Sequence, residues 1–316
     1  MAINVPGMRT SSALASFLVV CLGVACGDST STGGGGSGAA GGGSEGGGGS
    51  PTEGGGGAGM GGAPVECEEP TPMPGTTNDV LVDMVTITAD DETGAAITDV
   101  NLQLCGTDGC LYSTTNALGQ ATFNNDLSSE TIDRPTVKPG DSLVFGKIGW
   151  PWAVGSPSPF PVMFPRMEDS GQQMDRGASV SAGGVTLDIA DDLNVTIDTL
   201  TYDEPAKQTF RAAQVPEAMV EAVTGDAAFV MVFTLGPVDT LFCPTGVDAT
   251  FENYAGLDAD TAVEIFGQEL AVGEYFGGYG EWTKIADGVV SSDGSVITTT
   301  GDGLPALLTV AIRPAP

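Results

Sequence analysis

Apolar and polar positions divide the chain into three regimes. Ala13 to Ala25 reads ALASFLVVCLGVA, thirteen apolar or small residues broken only by Ser16. As a helix it would span about 20 Å, short of a ~30 Å hydrocarbon core. Gly27 to Pro64 follows, with twenty glycines in 38 residues and nothing able to bury apolar surface. From Asp79 onward short apolar runs alternate with turn residues, a pattern that predicts strands. Val80-Leu81-Val82, Met84 to Thr88, Val100 to Leu104, Ser142 to Phe145, Val185 to Ile189 and Val195 to Leu200 are the candidates in the first half. Asp91 to Gly94, Asn116 to Gly119 and Pro139-Gly140-Asp141 supply the turn chemistry between them.

The second half adds strands at Ala228 to Phe233, Ala262 to Phe266, Gly288 to Ser291 and Leu307 to Ile312. Asp293-Gly294 sits at the centre of a hairpin turn. Glu217 to Val223, after Pro216 and before Gly225, predicts one short helix, and Pro205 suits the first turn of another. The expected fold is all-β: one or two β-sandwich domains after a disordered glycine-rich linker, with at most one or two short helices. The expected divisions are 1–25 as a signal, 26–78 as a tether, and β-rich units over 79–199 and 200–316. A glycine-rich coil of the tether's length has a reach of about 35 Å, so it acts as a spacer.

Charge narrows the partners. Ten basic residues face 41 acidic ones, for a net charge of −31. A surface this negative repels phosphate backbones, which argues against nucleic acid. The chain contains no histidine. That removes the commonest general base and the usual zinc ligand, and with them every imidazole-dependent triad. No metal, no cofactor and no catalytic residue is therefore assigned. Paired carboxylates alone keep a histidine-free hydrolase in view. Acidic groups such as Asp90-Asp91-Glu92, Asp191-Asp192, Asp203-Glu204 and Asp258-Ala259-Asp260 lack the spaced calcium-loop pattern and read as solvated surface.

Arg9 ahead of the apolar run, the run's length and small Ala25 at its end fit a secretory signal. Gly23-Val24-Ala25-Cys26 resembles the lipobox of bacterial lipoproteins, with Leu22 one position earlier than that family's usual leucine. The resemblance implies lipidation of Cys26, plain secretion being the alternative. Gly27 directly after it, in place of aspartate, implies the outer membrane. A membrane partner through the anchor follows from the same resemblance.

A second resemblance covers about 80 residues. Thr93-Gly94-Ala95-Ala96-Ile97, Val100 to Cys105 and Thr115-Asn116-Ala117-Leu118-Gly119-Gln120-Ala121-Thr122-Phe123 are similar to the carboxypeptidase regulatory-like, transthyretin-type β-sandwich. Ala96 departs from that family's proline. The likeness implies a non-catalytic, accessory or adhesive module. Phe251 through Ile297 is similar, more distantly, to β-rich modules of bacterial surface proteins.

With Cys21 in the signal and Cys26 lipidated, Cys67, Cys105, Cys110 and Cys243 remain, an even number in an exported chain. Cys105 and Cys110 flank a four-residue hairpin turn, which suits a bridge and leaves Cys67 for Cys243. Trp150-Pro151-Trp152, with Phe160 and Phe164 among prolines, is the candidate ligand loop. Exposed, coplanar rings there would favour a carbohydrate-binding accessory protein; rings folded into the body would favour a scaffold. The leading expectation is a lipid-anchored, non-catalytic envelope protein whose partner is a glycan or another envelope protein.

Overall fold

The computed structural model describes residues 66–316 apart from 74, 76, 127–130, 141–142, 168–170 and 272–273. Cys26, the expected signal and the whole of the glycine-rich run lie outside the described residues. Residues from Met60 to Pro316 form one compact unit.

The fold is all-β. A ten-stranded antiparallel sheet runs in the order Gln172–Gln173, Thr209–Gln214, Met231–Gly236, Thr309–Pro314, Ala262–Gln268, Trp282–Val290, Val296–Thr300, Asp248–Glu252, Val185–Asp188 and Ser179–Ala182. Its two end strands meet. The Gln172 side-chain amide donates to Ser181 O at 2.8 Å, and its carbonyl accepts from Ser181 N at 3.2 Å. Sheet twist and one side-chain amide thus bring the sheet close to a closed barrel. Gly183 makes the closure sterically feasible: its φ is +51°, and a Cβ there would stand 2.3 Å from Ala212 O. With Gly184 at φ +79° it forms a two-residue turn between the last two strands, a conformation open to glycine and costly for most residues.

A smaller sandwich stands beside this barrel. Gln120–Asn124, Met84–Asp90 and Phe160–Met163 form one sheet; Cys110–Thr114, Asn101–Cys105, Thr136–Pro139 and Trp150–Pro151 form the other. Period-two alternation is plain in Met84–Asp90, where Val85, Ile87 and Ala89 are buried while Met84 is exposed. Met231–Gly236 is buried at every position because both its faces are used. Met231, Phe233 and Leu235 enter the barrel core, whereas Val232 joins Ala311 in the core shared with the sandwich.

Strand pairing crosses the division expected at residue 200. Val185–Asp188 bonds to Asp248–Glu252, and Val215, Val220 and Phe229 pack in the sandwich core. The expected strand at Ser142 to Phe145 is also absent among the described residues: Leu143 and Val144 form a turn, and Phe145 makes one isolated bridge to Arg166. The helix is short, as its composition implies. A 3-10 turn, Glu217–Met219, continues into Val220–Thr224, which Gly225 ends at φ +70° with its N–H on Glu221 O. A second 3-10 turn spans Pro205–Lys207.

Candidate functional site

Both disulfides are present: Cys105–Cys110 across the mouth of its hairpin, and Cys67–Cys243 between the end of the glycine-rich run and the barrel unit. Cys67 is also fixed by its backbone N–H, which donates to Thr196 Oγ1 at 2.9 Å. Downstream, Met73 N donates to Glu274 O, and Asn78 N to the Asp133 carboxylate. The end of the expected tether is therefore held against the folded body, at Cys67 as the expected Cys67–Cys243 pairing implies, and also at Met73 and Asn78.

The hub of that attachment is Arg134. Its guanidinium donates to Asp133 Oδ2 at 3.1 Å, to Thr107 Oγ1 at 2.9 Å and to Glu274. Glu281 stands 3.6 Å from its other nitrogen. Burial pushes the Asp133 carboxyl up, but the Asn78 N–H, Arg134 and Thr107 outweigh it and hold it below the usual range. Arg134 and Glu274 both adopt left-handed backbone, at φ +50° and +48°. Such conformations persist in non-glycine residues when surrounding contacts over-determine them, as this network does.

A second buried polar group lies under the same 269–281 loop. Lys138 Nζ donates to Leu270 O at 2.9 Å and sits 5.0 Å from the centre of the Tyr279 ring. Burial, then repulsion from Lys147, pushes its amine down to about 7, with Asp239 and Glu269 opposing. Burial also raises the Glu269 carboxyl, despite N–H bonds from Phe276 and Ala271. Tyr279, Leu270 and the Cys105–Cys110 bridge pack together over this region, and Lys138 is only 5 % exposed. The cluster is sealed, so its perturbed groups serve the interior. Sequence reasoning missed it. Its one signal was a lysine set between the apolar residues Val137 and Pro139.

The four candidate rings do not make a platform. Trp150 pairs with Val137, which aims its indole into the sandwich core, and its Nε1 donates to Met163 O at 2.9 Å. Phe164 is fully buried. Trp152 and Phe160 are half-buried and lean on the same core. Of the candidate ligand loop, Trp150 and Phe164 thus follow the alternative reading, rings folded into the body to cover the open edge of the sandwich. Among the described residues no group of three or more acidic or cysteine side chains is arranged to hold a metal ion.

What the stretch does build is a groove of about 420 Å³. Trp150, Val162 and Met163 form its floor, Met219 its far wall, and Asp90 and Glu92 its acidic rim. The rim is rigid: Asp91 Oδ1 accepts from Thr93 N, Thr93 Oγ1 and Ala95 N at 2.6–3.0 Å, closing an Asx turn. Those bonds and Arg166 outweigh burial and keep the Asp91 carboxyl below its ordinary value.

Comparison with protein families, with curated proteins and with solved structures finds no match to this chain.

Proposed function

We propose that this protein is a lipid-anchored component of a bacterial cell envelope whose β-rich body has a non-catalytic binding or structural role. The carrying observation is the Cys67–Cys243 bridge, which fastens the body at the point where the glycine-rich run ends. A spacer needs a firm attachment at its cargo end, and a disulfide supplies one that persists in an oxidising compartment. The second bridge, Cys105–Cys110, supports the same compartment. The lipobox-like Ala25-Cys26 junction supports acylation, and several acyl chains, at about 0.8 kcal/mol per buried methylene, give lasting membrane attachment. The transthyretin-type resemblance of the first β unit supports an accessory role. Burial of Trp150 and Phe164 favours a scaffold over sugar stacking.

Labelled palmitate should enter the wild-type protein in cells, and Cys26→Ser should abolish the label and release the protein from membranes. Absence of label from the wild type would overturn the anchored reading.

A further inference from the structure

We propose that the groove beneath the Asp90–Gly94 turn is a docking site for a basic, apolar peptide segment, taking a lysine or arginine side chain at its rim and an aliphatic neighbour on its floor. The inference rests on the reading of the body as a binding module and is independent of the anchor.

Three observations converge on that occupant. The floor of Trp150, Val162 and Met163 is apolar, and Met219 brings a flexible thioether that adapts to varied side-chain shapes. At about 420 Å³ the groove falls in the range of small-ligand sites, ~300–1,000 Å³, with room for two side chains. The rim supplies the charge. Glu92 accepts Arg166 N through Oε2 alone, which leaves Oε1 to offer, and no hydrogen bond or ion pair engages the Asp90 carboxylate among the described residues.

The adjacent cation forms its ion pair with Asp91 rather than with Asp90 or Glu92 among the described residues. Arg166 lies 3.7 Å from Asp91 Oδ2 and stacks 4.9 Å from the Phe145 ring centre. The carboxylate it faces is the one already closed into the turn. An ammonium or guanidinium on an aliphatic stem meets both surfaces at once, carboxylates at its head and the floor along its methylenes. A free acid or an anionic lipid headgroup would be repelled at the same rim. The net charge of −31 extends the same preference into solution and speeds the encounter.

The test uses the purified full-length mature protein and a short peptide alternating leucine and lysine, with glutamine and glutamate versions as controls, by calorimetry at low and moderate salt. The lysine peptide should bind, the glutamine peptide at least tenfold more weakly, and the glutamate peptide not at all. Asp90→Asn with Glu92→Gln should weaken binding about tenfold or more. Ala222→Lys, at an exposed position on the groove's helical wall, should do the same without touching the rim. Asp258→Asn with Asp260→Asn, remote in sequence and outside the groove lining, should leave affinity unchanged. Equal losses from the remote pair would assign binding to the overall field and overturn the groove. Indifference to either groove variant would also overturn it, as would equal affinity for the glutamine peptide. Cross-linking in intact envelopes separates the two readings. A partner captured equally by wild type and the Asp90–Glu92 variant refutes the groove while keeping the binding module.

Discussion

Single residues show most sharply how burial decides chemistry. Lys138 would be an unremarkable surface amine if the 269–281 loop did not cover it, and under that loop its amine falls to about 7. Between pH 7 and about 10 the unfolded chain keeps a proton there that the folded chain has released. Raising pH through that window therefore favours the fold, whereas below about 7 both states are protonated and the burial cost is complete. Between pH 7 and 9 the difference is roughly 2–3 kcal/mol. Urea unfolding of the wild type should show that rise, and Lys138→Met should lack it. Equal slopes in the two proteins would show that the amine is charged when folded. The sequence disclosed no more of this group than a lysine between Val137 and Pro139, because what covers Lys138 is a loop more than 130 residues away. For Trp150 the sequence left two readings open, an exposed ligand ring or a ring folded over the open end of the sandwich, and its pairing with Val137 turns it inward, as the second reading expects.

Elements were legible where the pattern was local. Met84–Asp90, Asn101–Cys105 and Val185–Asp188 follow from alternation, Val220–Thr224 from Pro216 and Gly225, and the hairpin at Asp293-Gly294 from its turn chemistry. The stretch expected from Ser142 to Phe145 has the right composition, but Leu143 and Val144 form a turn and Phe145 has, among the described residues, one bridge partner, Arg166; Ser142 lies outside the described residues. Closure of the large sheet was not legible, since it depends on Gln172 meeting Ser181 and on Gly183 passing under the backbone at Ala212. Two glycines separate these effects. Gly294 has φ +74° with open space around it, so Gly294→Ala should cost about 1–2 kcal/mol of left-handed strain. Gly183→Ala adds a clash with Ala212 O and should cost about 3 kcal/mol or more. Matched losses in thermal unfolding would mean that the close approach relaxes freely.

At the scale of the whole molecule, two cores are joined through strands with both faces buried, so the body from Met60 onward is one unit in its contacts. Two bridges staple it at very different ranges. Cys105–Cys110 spans 5 residues, and loss of so small a loop constraint should cost about 2 kcal/mol in the chain-entropy model. Cys67–Cys243 spans 176, for which the same model gives about 5 kcal/mol. Denaturant unfolding of the two double-serine variants should rank them in that order; the reverse order would mean that residues 67–78 peel away at little cost. The long bridge also sets a load path. Tension arriving along the chain from upstream of Cys67 passes through sulfur to Cys243 and enters the two-stranded ribbon of Leu241–Cys243 and Asn194–Thr196 there, bypassing the covalent backbone from 68 to 242. The hydrogen bonds that pair Asp79–Leu81 with Thr131–Asp133 are thereby shielded from being unzipped in sequence. A body so fastened can be dragged by its leash without being unravelled from the end to which the leash is tied.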